Sequence, residues 1–206
     1  MAKRKLFKGK TGIGEVLFAH LLKPEEFKGV STNKFSVMLK LSEKDKKKLL
    51  DQIDEEWNKF KESDECPAKK FKYDYSNGLK EYKEEEYFKF KMTHIIKCKD
   101  GTELEKSVPI FDAATKEISK TITGVGNGSK AIVAFELSPF YMNDKNYGVS
   151  LRLLGIQILD MVEYGSNSAA GLGFDKEDGY SQENEANTVD TDDEIPFSPQ
   201  ESEGDF

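Results

Sequence analysis

Lysines and aromatic rings recur together at strand spacing, and that pairing is the main chemistry this sequence offers. From Tyr87 to Lys97, Phe88, Phe90, Met92, His94 and Ile96 alternate with Tyr87, Lys89, Lys91, Thr93 and Lys97. One face of such a strand is apolar and the other carries cations and a ring. A second segment, Val30 to Leu41, sets Phe35, Val37, Leu39 and Leu41 against Lys34, Ser36, Met38 and Lys40. The stretch 138–148, read as a loop, adds Phe140, Tyr141 and Tyr147. Ammonium groups neutralise phosphates, and exposed rings stack on bases at roughly 1–3 kcal/mol per base. The mixture suits a single-stranded nucleic acid. Lysines alone would equally keep an outer strand face soluble and unpaired. Rings at a loop tip favour binding, since they gain little from that position otherwise.

Other chemistries are weaker. Gly124-Val125-Gly126-Asn127-Gly128, followed by Ser129 and Lys130, is glycine-rich, but it has no Walker A or G-x-G-x-x-G pattern and no helix after it. It reads as a turn, with Lys130 free to touch a phosphate backbone. His20 and His94 sit in strand patterns, and His94 falls on the apolar face. Asp100, Glu103 and Glu105 lie in a hairpin that could hold Mg²⁺ in a nuclease, though a solvated turn is the simpler reading. Cys66 and Cys98 lack the C-x-x-C spacing of zinc or redox sites and are too few for a disulfide framework. No nucleophile stands beside a base, so no catalytic residue, metal or cofactor is expected.

The elements that must position these residues are mostly strands. Gly12 to Lys23 reads as one, then Val30 to Leu41. Ser42 is an N-cap with Asp45 three residues on, opening a helix through Leu49, Leu50, Ile53, Trp57 and Phe60. Asp64 to Gly78 is a loop. Tyr87 to Lys97 turns at Lys99-Asp100-Gly101 into Leu104 to Phe111. Lys130 to Leu137 and Val149 to Val162 complete the set, with Gly155 marking a bulge. Six or seven strands with one inserted helix fit a small closed barrel, and an oligonucleotide-binding (OB) fold is the choice among barrels and sandwiches. The pattern alone does not separate them.

Charge divides the chain in two. Residues 165–206 hold twelve Asp or Glu and one Lys, a net of −11, while residues 1–164 hold 30 basic and 26 acidic groups, a net of +4. Apolar residues are sparse after Gly165, so that segment cannot offset its ordering entropy and is expected to be disordered. The reading is therefore a domain at 1–164 and an acidic tail at 165–206. Within the tail, Ile195, Phe197 and Phe206 stand out beside Asp192, Asp193, Glu194 and Asp205. Acidic peptides with one or two hydrophobic anchors suit basic-rimmed pockets on partner proteins. No run of about 18 apolar residues is present, and no signal-type stretch follows the basic start, so a cytosolic protein is expected.

Three regions resemble a known family. They are the Met1-Ala2-Lys3 start leading into a strand, the segment from Gly126-Asn127-Gly128-Ser129-Lys130 through Ser138-Pro139-Phe140-Tyr141 to Gly148-Val149-Ser150-Leu151-Arg152-Leu153, and the acidic end closing on Gly204-Asp205-Phe206. Together they resemble the single-stranded DNA-binding proteins of T7-like and related tailed phages. The resemblance implies an OB fold, sequence-independent binding of single-stranded DNA in replication and recombination, stimulation of strand annealing, and tail contacts with DNA polymerase and primase-helicase. It gives Phe140 a base-stacking role, matches Lys130 and Arg152 to basic positions, and is compatible with a tail-joined homodimer in a host bacterial cytoplasm. Asp192 to Phe197 is also similar to the acidic tip of bacterial single-stranded DNA-binding proteins, where the tip ends the chain; here nine residues follow Phe197. The readings set against this one are a strand-annealing recombination mediator and a protein-binding adaptor whose acidic tail mimics DNA.

Overall fold

The structure, a computed structural model, describes residues 5–67 and 70–162. The tail residues singled out above, Asp192, Asp193, Glu194, Ile195, Phe197, Asp205 and Phe206, lie outside the described residues.

In chain order the elements are β1 (Lys8–Lys10), β2 (Gly14–His20), β3 (Glu26–Phe27), β4 (Val30–Ser31), β5 (Lys34–Lys40), α1 (Glu43–Glu62), β6 (Leu79–Tyr82), β7 (Glu85–Thr93), β8 (Ile95–Lys97), β9 (Glu103–Glu105), β10 (Ile110–Phe111), β11 (Lys130–Asn143) and β12 (Asn146–Asp160). The protein is mainly β with one helix, as the sequence predicts. The extra strands beyond six or seven are short, two to four residues each.

The pairings run in a circuit. β11 pairs β2, β2 pairs β5, β5 pairs β7 and β12 returns to β11, all antiparallel; β7 and β12 pair in parallel through Lys91 and Arg152. β1 adds to β11, β6 to β7 and β10 to β12. The hairpins β3–β4 and β8–β9 stand apart from this sheet.

Alternation explains the core. Phe35, Val37 and Leu39 of β5, Phe88 and Phe90 of β7, Phe135 and Leu137 of β11, and Leu151 and Leu153 of β12 point inward and are buried. Helix α1 begins where the sequence places it: the Ser42 hydroxyl accepts the Asp45 N–H at 3.2 Å. Its Leu49, Ile53, Trp57 and Phe60 are buried at i, i+4, i+8 and i+11. The Trp57 ring stacks on Tyr147 (centroids 5.8 Å, planes 8° apart) and on Tyr75 (5.1 Å, 18°). The bulge at Gly155 is present. Ala134 faces Gly155 while Phe135 faces Leu153, so Leu154 is the extra residue.

Residues 138–148 differ from expectation. They form the upper half of a long β11–β12 hairpin, which turns only between Asn143 and Asn146. Pro139 has no N–H to give to a ladder. The hairpin tolerates the proline, whose partner across the ladder is Val149. Gly148 matters here: a Cβ at this position would lie 2.2 Å from the Ser76 carbonyl oxygen. That close approach lets the 71–76 segment lie over the hairpin, with Val149 N–H donating to Ser76 O at 2.7 Å. Neither cysteine forms a disulfide; Cys66 is buried and Cys98 exposed. Among the described residues no helix is long and apolar enough to cross a membrane.

Candidate nucleic-acid interface

Register brings the basic residues together. Lys91 is the partner of Arg152 on β12 and of Ser36 on β5, and Ser36 is the partner of His20 on β2. Arg152, Lys91, Ser36 and His20 therefore form a row across four neighbouring strands, spanning about 14 Å. Their chain neighbours Leu151, Leu153, Phe90 and Val37 point into the core, so the row faces away from it; Arg152, Lys91 and His20 are exposed there, while Ser36 between them is covered, at 1% exposed. Lys89 flanks it one step along β7, and Lys34 lies across from Thr93.

Two grooves meet at Lys91. One, of about 160 Å³, is lined by Phe140 together with Lys80, Lys89 and Lys91. The other, of about 300 Å³, is lined by Arg152, Lys106, Met92 and Leu154 as well as Lys91. The Phe140 ring is half-buried against the lysines, where a base could lie on its open face. Among the described residues Lys34, Lys80 and Lys91 are paired with no carboxylate, whereas Arg152 reaches Glu136 at 3.3 Å. Lys91 is crowded by its own kind. Burial and then the ammonium groups of Lys89 and Lys34 hold its pKa below the usual lysine range. A phosphate bound here would relieve that repulsion.

Two carboxylates reach this surface: Glu136, beside Arg152 in the larger groove, and Glu25, beside Lys89 and Ser36. Glu25 is the more deeply engaged of the two. Its oxygens accept from Lys89 Nζ at 2.9 and 3.1 Å and from the Ser36 hydroxyl at 3.0 Å. Burial pushes its pKa up, but Lys89 and Ser36 outweigh that and leave it below the ordinary value. The acid is thus ionised near neutrality, and its pair with Lys89 is lost only as pH falls through the lowered pKa. A phosphate approaching Lys89 would have to displace it. Glu25→Gln is expected to raise affinity for a labelled oligo-dT two- to five-fold at low salt, about 0.5–1 kcal/mol for a partly exposed pair. Equal or weaker binding, measured by fluorescence anisotropy, would show that Glu25 does not compete.

Other predicted residues lie elsewhere. Lys40 and Lys130 are not in the row. Lys40 sits four residues from Ser36, about 13 Å along the strand, and bonds Glu85; Lys130 bonds Glu15 at 3.0 Å. Both cations are already neutralised by neighbouring strands. Tyr87 and Tyr147, expected as exposed rings, are 6% and 4% exposed. Tyr87 stands opposite Lys80 of β6, and its hydroxyl donates to Glu85; that bond and burial push its pKa up to about 12. The Tyr147 hydroxyl accepts the Tyr73 N–H at 2.8 Å and donates to the Tyr73 carbonyl. Neither ring can stack on a base as it stands. Tyr141 is half-buried, stacked on Tyr147 at 6.1 Å, with its hydroxyl bonded to Asp144. It belongs to the aromatic cluster under the hairpin and not to the lysine groove.

The remaining candidates are structural. Asp100 accepts from the Thr102 N–H and hydroxyl, closing a turn. Glu103 pairs with Lys97 at 3.6 Å, and Glu105 with the half-buried His94 at 2.9 Å. In the glycine turn only Gly128 has a positive φ, +89°. The sequence reading missed Lys80, which lay in no expected element, and Lys106, which lay in the expected Leu104 to Phe111 strand but was not singled out; it also missed the place of His20 at the end of the row.

No family model matches the chain, and no curated protein matches it. Solved structures do. Gp2.5, a single-stranded DNA-binding protein encoded by bacteriophage T7, superposes with a TM-score of 0.60 at 21% identity, over 86% of this chain and 99% of that one. The single-stranded DNA-binding protein from bacteriophage Enc34 gives 0.54 at 13% identity, over 79% and 88%. The same protein in complex with single-stranded DNA gives 0.53 at 12%, over 77% and 89%. The resemblance read from the sequence is thus borne out at the level of fold.

Proposed function

We propose that this protein binds single-stranded DNA without sequence preference, on the outer surface of a closed OB-type barrel formed by the β2–β5–β7–β12–β11 circuit. The observation that carries the reading is the Arg152–Lys91–Ser36–His20 row with Phe140 beside it. Among the described residues it combines Lys91, which has no carboxylate partner, and Arg152, which shares Glu136, with a half-open ring, and it offers no fixed array of donors and acceptors to read base edges. Backbone neutralisation plus stacking is how sequence-tolerant single-strand binders work. The phage proteins that share the fold bind single-stranded DNA by their own description, which supports the same role here. Binding alone accounts for these residues, with no catalytic step or cofactor required.

The acidic tail has a second part in the proposal. With a net of −11 over residues 165–206, it competes for the basic surface when DNA is absent, and DNA releases it toward replication proteins such as a polymerase or primase-helicase. Screening sets the salt dependence of that competition, since exposed charges are damped beyond about 8–10 Å near physiological ionic strength. The test is labelled oligo-dT titrated with the full chain and with a chain lacking residues 165–206. The shortened form is expected to bind more tightly, with the gap closing as salt rises. A gap of opposite sign, or none at any salt, would remove the competition. Absence of binding by both folded forms would overturn the DNA reading and favour a protein-binding adaptor.

A further inference from the structure

Phe18 has a φ of +49°. Bulky side chains rarely adopt this left-handed conformation, because the Cβ crowds the backbone. The β2–β5 ladder breaks there: Leu17 pairs with Met38, the next pair is His20 with Ser36, and Phe18 lies in the irregularity between. Its N–H donates instead to the Asn127 side chain at 2.8 Å. Glycine or asparagine would hold this backbone with less strain. The phenylalanine ring does not compensate through burial either. It is 40% exposed, and its ring partner among the described residues is the edge of Tyr82, itself 36% exposed, at 5.1 Å and 80°. Strain kept at an exposed ring points to a use for the ring.

Beside Phe18 lies a cleft of about 470 Å³ whose wall includes His20, Lys23, Thr123 and Asn127, with buried Leu21 and Val125 also lining it. Its size is in the usual range for small ligands. His20 is also the end of the row that begins at Arg152. A strand following the row from β12 across β7 and β5 therefore arrives at this opening. We propose that the cleft takes one nucleobase of that strand, stacked on the open face of Phe18. Thr123 and Asn127 supply hydrogen-bonding groups to its edge, and Lys23 meets the adjoining phosphate. An aromatic wall, polar edges and a cation at the rim are what a nucleotide presents surfaces for. The inference rests on the proposed single-stranded DNA binding and adds a base-holding station to it.

The experiment compares the full chain with Phe18→Asn and Phe18→Tyr in anisotropy titrations of oligo-dT over a salt series, alongside thermal melts. Asparagine suits the backbone and removes the ring; tyrosine keeps a ring. Phe18→Asn is expected to lose roughly 5- to 150-fold in affinity, the equivalent of one stacked base, with an unchanged salt slope and a melting temperature no lower than that of the parent. Phe18→Tyr is expected to retain parental affinity. Equal binding by Phe18→Asn and the parent would overturn the cleft proposal while leaving the DNA reading intact. Absence of binding by the parent would remove the DNA reading itself. If Phe18→Asn melts early, the unmodified protein decides: an oligonucleotide carrying 5-iododeoxyuridine is expected to photocrosslink to a peptide containing Phe18 or Tyr82. Crosslinks confined to other peptides would overturn the proposal.

Discussion

Lys91→Glu is expected to weaken oligo-dT binding by roughly 30- to 150-fold at low salt, about 2–3 kcal/mol, the size of one charge-assisted hydrogen bond lost with repulsion added. Lys91 is where the two grooves meet and where β7 and β12 pair, so no other cation is as central. The neutral Lys91→Met separates charge from packing. It should lower the slope of log K against log salt by about 0.7, one phosphate contact for a single strand. Its effect on stability has the opposite sign to its effect on binding. Burial and the charges of Lys89 and Lys34 depress the Lys91 pKa in the folded chain, so the unfolded chain binds more protons. Stability therefore rises with pH between the lowered pKa and the ordinary one, and at neutral pH the Lys91 charge is a cost to the fold. Removing it should leave the melting temperature unchanged or raised. DNA favours the ammonium form, so affinity should decline with rising pH below the range where an ordinary lysine titrates. A Lys91→Glu protein that binds as the parent does would place the DNA elsewhere.

Trp57→Ala should destabilise the protein by about 3–5 kcal/mol, the range for deleting a buried aromatic side chain. The ring is 4% exposed and touches Phe60, Phe71, Tyr75 and Tyr147. Those contacts tie α1 and the 71–76 segment to the β11–β12 hairpin, so their loss unseats both. Urea unfolding followed by far-ultraviolet circular dichroism reads the change directly; a loss below about 1 kcal/mol would mean that the cluster relaxes around the gap. The same burial has a spectroscopic consequence. Trp57 is the single tryptophan and lines neither groove at Lys91, so oligo-dT should quench its emission little.

How much of this was legible in the sequence depends on what each feature requires. The strand at Tyr87–Lys97 and the Ser42 cap are local patterns, and both appear as read. The bulge at Gly155 is also local. Lys91 and Arg152 were visible as candidates, but their adjacency arises from a parallel pairing between strands some sixty residues apart, which no local period encodes. Lys40 and Lys130 had the same signature as Lys91 and differ only because Glu85 and Glu15 arrive from other strands. Tyr87 and Tyr147 mark a different limit. A period of two tells which side of a strand a residue faces, not whether another layer covers that side. Here both rings are buried, and for Tyr147 the cover is the 71–76 segment with Trp57 of α1. Phe18 carries no signal at all, since its importance lies in a backbone angle.

The central claim is that DNA lies on the Arg152–Lys91–Ser36–His20 surface, and lysine footprinting tests it without altering the protein. The full chain is acetylated briefly with and without saturating oligo-dT, and each lysine is quantified by mass spectrometry. The account predicts protection of Lys34, Lys80, Lys89 and Lys91, with Lys44, Lys47 and Lys48 on α1 and Lys97 on the β8–β9 hairpin unchanged. Protection of the helix or hairpin lysines, with Lys34, Lys80 and Lys91 as reactive as before, would contradict it.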